Sequence, residues 1–144
     1  MSNTILASID LAHPEHHAPI LLEARQMADL KGRPLAVVTV IPDFGMSIVG
    51  SYFQEGAEQT ALREAASSLH AAVEAVLGQA ADAETQHIVR HGVAYEEILA
   101  TADQLGASLI VMGAHKPAFR DYLLGPNASR VVRHSTCSVL VLRD

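Results

Sequence analysis

Four short aliphatic runs punctuate this chain: "NTILASIDL" (3–11), "PLAVVTVIP" (34–42), "ASLIVMGA" (107–114) and "CSVLVLR" (137–143). Three of them are nearly continuous in Val, Ile, Leu and Ala, the pattern of parallel strands covered on both faces. A fifth run, "ETQHIVRHG" (84–92), alternates more and is predicted to lie nearer a sheet edge. Helical spacing fills the intervals. Leu21, Ala24 and Ala28 share one helical face, and Gly32 with Pro34 ends that helix. From 57 to 78 the apolar positions are Leu62, Ala66, Leu69, Val73, Val76 and Leu77. Ile98, Ala102 and Leu105 form a third stripe, with Gly106 as a C-terminal cap. A last helix is predicted to begin near Asn127 and to turn Ala128, Val131 and Val132 inward. Strands alternating with helices predict an α/β protein, a three-layer sandwich around a five-stranded parallel sheet of the Rossmann-like kind.

Length supports one domain over residues 1–144, large enough for its own core. Aromatic residues make up only 4%, so that core must be aliphatic. A net charge of −6 argues against non-specific nucleic-acid binding, which needs a basic surface. The single cysteine, Cys137, excludes an internal disulfide and reads as a buried, inert thiol. No secretory leader pattern and no apolar run of about 20 residues appears, so the expectation is a soluble cytoplasmic protein with no membrane association. The one long irregular stretch is 41–59, whose length suits a lid, a binding loop or a mobile connection.

Ligands of open parallel sheets bind beyond the carboxyl ends of the strands, where strand order reverses. That rule directs attention to Asp10 after the first strand, to Val40 through Asp43 after the second, and to Gly113 onward after the fourth. A carboxylate ending an apolar strand is costly unless it has a partner or faces a cleft. Between Gly113 and Gly125 lies a loop with His115, Lys116 and Arg120, leading into the last helix. The first N–H groups of that helix have no partner within it, and with the helix dipole they favour an anion such as phosphate. Spacing alone leaves a second reading open, a strand-to-helix loop whose glycines serve only the turn.

Taken together, "ILASID", "GVAYEEILATADQLGASLIVMGAH" and "LLGPNASRVVRHSTCSVLVLR" resemble the universal stress protein (UspA-like) family over nearly the whole chain. The resemblance implies an adenine-nucleotide alpha-hydrolase-like fold and a homodimer formed through the last strand, Cys137–Arg143. ATP-binding members carry Gly-x2-Gly-x9-Gly-Ser/Thr at this loop. Here Gly113 and Gly125 match the outer glycines, Lys116 replaces the middle one, the loop is one residue shorter, and Pro126 replaces the Ser/Thr. The shortened loop and "YLLGPNAS" are most similar to the UspF/UspG-like branch, which is also associated with nucleotide binding.

Carried over by position, the resemblance places Ser8, Asp10 and Val40 beside adenine and ribose, and Met112 and Gly113 against the base and sugar. His115 and Lys116 would lie by the phosphates, and Gly125, Asn127 and Ala128 would supply main-chain donors. Pro126 can offer neither an N–H nor a hydroxyl. Proline nevertheless suits the first helical position, so the cradle would lose one or two donors, each worth about 1–3 kcal/mol when charge-assisted. The implied ligand is ATP, and a Mg2+ ion bridging Asp10 and the phosphates would use mainly oxygen ligands. The implied role is a nucleotide-occupied sensor or regulator, read through the 41–59 loop and dimer surface by a regulatory protein partner. Two rivals stand beside it: a slow ATP hydrolase using Asp10 and His115, and a nucleotide-free dimerisation module.

Eight histidines raise a metal reading. His13, His16 and His17 follow Asp10 in "DLAHPEHH", but Pro14 and Pro19 favour surface histidines at a helix start. His70 is predicted at the polar edge of the long helix, and His87, His91 and His134 show no partner at a recognisable motif spacing. No metal site follows from these spacings. Neither a G-x-S-x-G nor a Walker A sequence is present, so nothing points to a catalytic residue.

Overall fold

The computed structural model describes residues 3–41, 57–114 and 126–143. Most of the 41–59 stretch, together with His115, Lys116, Arg120 and Gly125, lies outside them. Five strands, β1 (Ile5–Ser8), β2 (Leu35–Ile41), β3 (Gln86–His91), β4 (Leu109–Gly113) and β5 (Ser138–Leu142), form one sheet. Its order is β3-β2-β1-β4-β5 and every pairing is parallel. The helices are α1 (His17–Lys31), α2 (Ala57–Leu77), α3 (Gln79–Glu84), α4 (Ala94–Leu105) and α5 (Pro126–His134), with a 3-10 turn at Pro14–His16 before α1.

Alternate residues of the central strands feed two cores, as the period of two requires. Ile5, Ala7, Leu35, Val37, Leu109 and Val111 meet Ile20, Leu21, Ala24 and Ala28 of α1 and Leu69 and Val73 of α2. Leu6, Ala36, Val38, Ile110 and Met112 meet Ile98 and Ala102 of α4 and Ala128 and Val131 of α5. The three-layer sandwich read from the alternation is thus the fold, and both cores are aliphatic. Among the described residues, no helix is long and apolar enough to cross a membrane.

Details differ from the expected pattern in ways that packing explains. β5 lies at a sheet edge and is only half-buried, since one neighbour is missing there. Cys137 is half-buried rather than buried, and its backbone N–H is bonded by the Ser135 hydroxyl at 3.1 Å. Val132 is 45% exposed because one residue past Val131 turns it about 100° around α5. In α2 the buried stripe runs through Ala65 rather than Ala66. The helix ends are as expected: Gly32 and Gly106 both take the left-handed conformation, and each N–H reaches back to the preceding turn.

Candidate functional site

The sheet order makes β1 and β4 neighbours from which the chain departs in opposite directions. From β1 it leaves through α1 on one face, and from β4 it proceeds to α5 on the other. Helices diverging to opposite faces leave a crevice above the carboxyl ends of these two strands. Register sets its floor: Ala7 stands opposite Val111, so Ser8 and Met112 follow side by side.

A cavity of about 310 Å3 opens there, at the lower end of the about 300–1,000 Å3 typical of small-molecule sites. Ser8, Asp10, Val40, Met112, Gly113, Pro126, Asn127 and Ala128 line it. These are eight of the residues singled out from the sequence, drawn from β1 and the segment just after it, β2, β4 and α5. His115, Lys116 and Gly125 lie outside the described residues. Sequence reasoning missed Ile9, Ile20, Ala94, Ile98 and Ala114, which also line the cavity. They are ordinary apolar residues: Ile9 and Ala114 directly follow β1 and β4, and the packing of α1 and α4 against the strand ends turns Ile20, Ala94 and Ile98 toward it. His13 and His16 line it too, and their position just after Asp10 was the available signal.

Asp10 is not the burdened strand-end carboxylate expected from the sequence. β1 ends at Ser8, and the Asp10 side chain is 66% exposed. Its Oδ1 accepts the Ala12 N–H at 2.9 Å, which tightens the turn, and its Oδ2 lies 3.9 Å from His13 Nε2. The Asp10 carbonyl accepts a 2.7 Å hydrogen bond from His17 Nε2. His17 is therefore buried and engaged with the backbone, not at the surface, and it ties the start of α1 to the end of the β1 segment. His13 Nδ1 pairs with Glu15 at 3.2 Å, and His16 Nε2 lies 3.7 Å from the same carboxylate.

The Glu15 carboxyl is held below its ordinary value of 4.5, first by its own backbone hydrogen bond, then by the His13 and His16 imidazoles. A depressed carboxyl contributes stability that is present above the unfolded value and is lost as pH falls through the folded one. What the ionised Glu15 carboxylate contributes to this turn is therefore present above 4.5 and is lost as pH falls below that value.

Gly113 does not occupy the left-handed region, so its value is not backbone freedom. It gives room: a Cβ there would stand 3.2 Å from Ile20 Cδ1. At the other wall, Pro126 is the first residue of α5, where its fixed φ is already helical and its missing N–H costs no helix bond. Asn127 is exposed and Ala128 is buried in the same first turn. Their N–H groups belong to the set that no α-helix satisfies internally. No acidic side chain occupies this turn. The arrangement offers an apolar slot between β1 and β4 and polar donors at the start of α5.

A five-stranded parallel α/β sandwich with a cleft at its strand-order reversal defines the fold class, here of the adenine-nucleotide alpha-hydrolase-like kind. The universal stress protein family model matches residues 1–143, and the chain belongs to that family. Universal stress protein YxiE of Bacillus subtilis is 31% identical over 151 residues, spanning 99% of this chain and 100% of the relative. Universal stress protein G of Shigella flexneri is 45% identical over 58 residues, a match that spans 40% of this chain and 40% of that relative.

Among solved structures, a putative universal stress protein from Pseudomonas aeruginosa superposes with a TM-score of 0.70 at 26% identity, covering 99% of this chain and 48% of that one. Two more distant ones share the fold. The Archaeoglobus fulgidus universal stress protein in complex with dAMP has a TM-score of 0.60 at 20% identity, covering 96% of this chain and 95% of its own. A universal stress protein in complex with cAMP has the same score and identity, covering 99% and 97%.

Proposed function

We propose that this chain binds an adenine nucleotide, ATP foremost, in the cleft above β1 and β4, and acts in the cytoplasm as a homodimeric stress sensor or regulator. The observation that carries the reading is the convergence of Ser8, Asp10, Val40, Met112, Gly113 and the Pro126–Ala128 turn around one cavity. The apolar slot suits a base and sugar, and the start of α5 suits phosphates. The dAMP and cAMP complexes of relatives with this fold support adenine over other bases. Within the proposal, His115, Lys116 and Gly125 continue the phosphate side, and Asp10 is the group available to Mg2+.

Homodimerisation is supported by β5, an apolar edge strand whose outer side has no strand partner among the described residues. Unpaired strand edges are templates for pairing with a second chain. Sedimentation that finds only monomer at micromolar concentration would set this part aside. A regulatory protein partner would read nucleotide occupancy, because a ligand shifts an equilibrium by its differential affinity for the two states.

Pro126→Ser restores one main-chain N–H and a hydroxyl at the helix start. The expected result is ATP binding tighter by about tenfold, or about 1.4 kcal/mol. Calorimetric titration of both proteins measures it, and equal affinities would remove the phosphates from this end of α5. Failure of millimolar ATP or ADP to raise the melting temperature of the unaltered chain would favour the nucleotide-free reading instead.

A further inference from the structure

Away from the cleft, on the β3 edge of the sheet, three side chains that the sequence leaves scattered come together. His70 on α2 places Nδ1 2.8 Å from Asp82 Oδ2, and His87 on β3 places Nε2 2.6 Å from Asp82 Oδ1. The two imidazoles stack, with centroids 3.8 Å apart and planes 22° apart, so both rings present a nitrogen to the same carboxylate. His87, for which the sequence offered no partner at a recognisable motif spacing, thus has a carboxylate partner. Its partner stands five residues earlier, and the third member comes from a helix twelve residues before Asp82.

Asp82 is only 6% exposed, and a carboxylate is not buried without compensation. Two imidazole donors provide it, His87 at 12% side-chain exposure and His70 at 57%. The potential ligand atoms lie within 4.8 Å of one another, and among the described residues no other group of three does. Nitrogen donors from two histidines with one carboxylate oxygen form a borderline ligand set. Zinc suits such a set, whereas Mg2+ and Ca2+ take mainly oxygen.

The geometry points to a binding site for a divalent cation of the zinc class, held by His70 Nδ1, His87 Nε2 and an Asp82 carboxylate oxygen. Zinc–ligand bonds of about 2.0–2.1 Å place tetrahedral ligand atoms about 3.3 Å apart, so the stacked imidazoles must turn until both nitrogens converge on one ion beside the carboxylate oxygen. The cation takes the place of the two hydrogen-bonded protons, and each ring stays neutral with its proton on its other nitrogen. Three protein ligands leave the fourth tetrahedral position to water on the exposed His70 side. Because the ligands come from α2, α3 and β3, the ion clamps both helices to an edge strand. The site is independent of the nucleotide cleft.

The test uses the full chain, stripped with EDTA and free of nucleotide, titrated calorimetrically with ZnCl2. One equivalent is expected, with a rise in melting temperature. His70→Asn is the first variant, since a residue more than half exposed can change without unfolding the chain. Losing a ligand should weaken Zn2+ by more than the about 10–100-fold typical of losing an outer-shell partner, and should abolish the melting shift. His87→Gln, checked for native circular dichroism, should do the same. Cobalt(II) in place of zinc should give tetrahedral visible absorption in the unaltered chain and none in either variant. Zinc binding that is absent from the unaltered chain, or equal in the His70→Asn protein, overturns the proposal.

Discussion

Asn127→Glu is expected to weaken ATP binding about 10–100-fold while leaving the nucleotide-free melting temperature unchanged or slightly raised. Asn127 is exposed, lines the cavity, and stands in the first turn of α5. A carboxylate there would face the phosphates at short range, where like charges about 5 Å apart repel by about 3 kcal/mol at an effective dielectric of 20. Solvent and salt screening reduce that to about 1.4–2.7 kcal/mol, the stated range of affinities. The same carboxylate suits the positive end of the helix, by about 0.3–1 kcal/mol, and the turn has no acidic residue of its own. Opposite signs for binding and stability make the result specific. Calorimetric titration at fixed ionic strength and a nucleotide-free melt measure the two. Unchanged affinity would mean that the phosphates do not approach α5.

Leu6→Ala carries the largest expected loss of stability. Leu6 is 0% exposed on β1, between β2 and β4, and belongs to the core shared with α4 and α5. Removing three carbons from a site enclosed by strands on both sides leaves a cavity that cannot collapse. The cost is about 2–5 kcal/mol, which in a chain of this size lowers the melting temperature by about 5–20 °C. Leu30→Ala is the matched control. Leu30 is 81% exposed near the end of α1, and the same change there should fall within about 0.5 kcal/mol. Differential scanning calorimetry of the two variants decides it. Equal losses would contradict the assigned core.

Much of this was legible in the residues themselves. Strand and helix order follows from local periodicity, because "SLIVMG" can bury both faces only as a central strand, whereas Leu69 and Val73 fall four apart on a helix. The cleft was approachable for a related reason. A parallel sheet puts its ligand at the carboxyl ends of its strands, so Asp10, Val40 and Gly113 could be named from strand boundaries alone, while Ser8 and Met112 came from the family resemblance. Pro126 was also readable, since its fixed φ suits the place where α5 begins. The roles of single residues were less so. Asp10 was expected at a strand end but lies beyond it and exposed, whereas Gly113 gives the expected room for close approach, against Ile20, without an unusual φ. Both depend on where a strand stops, which local pattern sets only to within a few residues.

The sequence alone determined the layered α/β architecture, the aliphatic core and the region of the cleft, because each is written in the repeat of apolar positions along a short segment. Only the tertiary structure decided the sheet order, which makes β1 and β4 neighbours and so opens the cleft between α1 and α5. It alone brought Ile20, Ala94 and Ile98 to that cleft, and joined His70, Asp82 and His87 at the β3 edge of the sheet. These contacts arise from how helices seat on the sheet. No spacing along the chain encodes that, since the residues that meet belong to different elements.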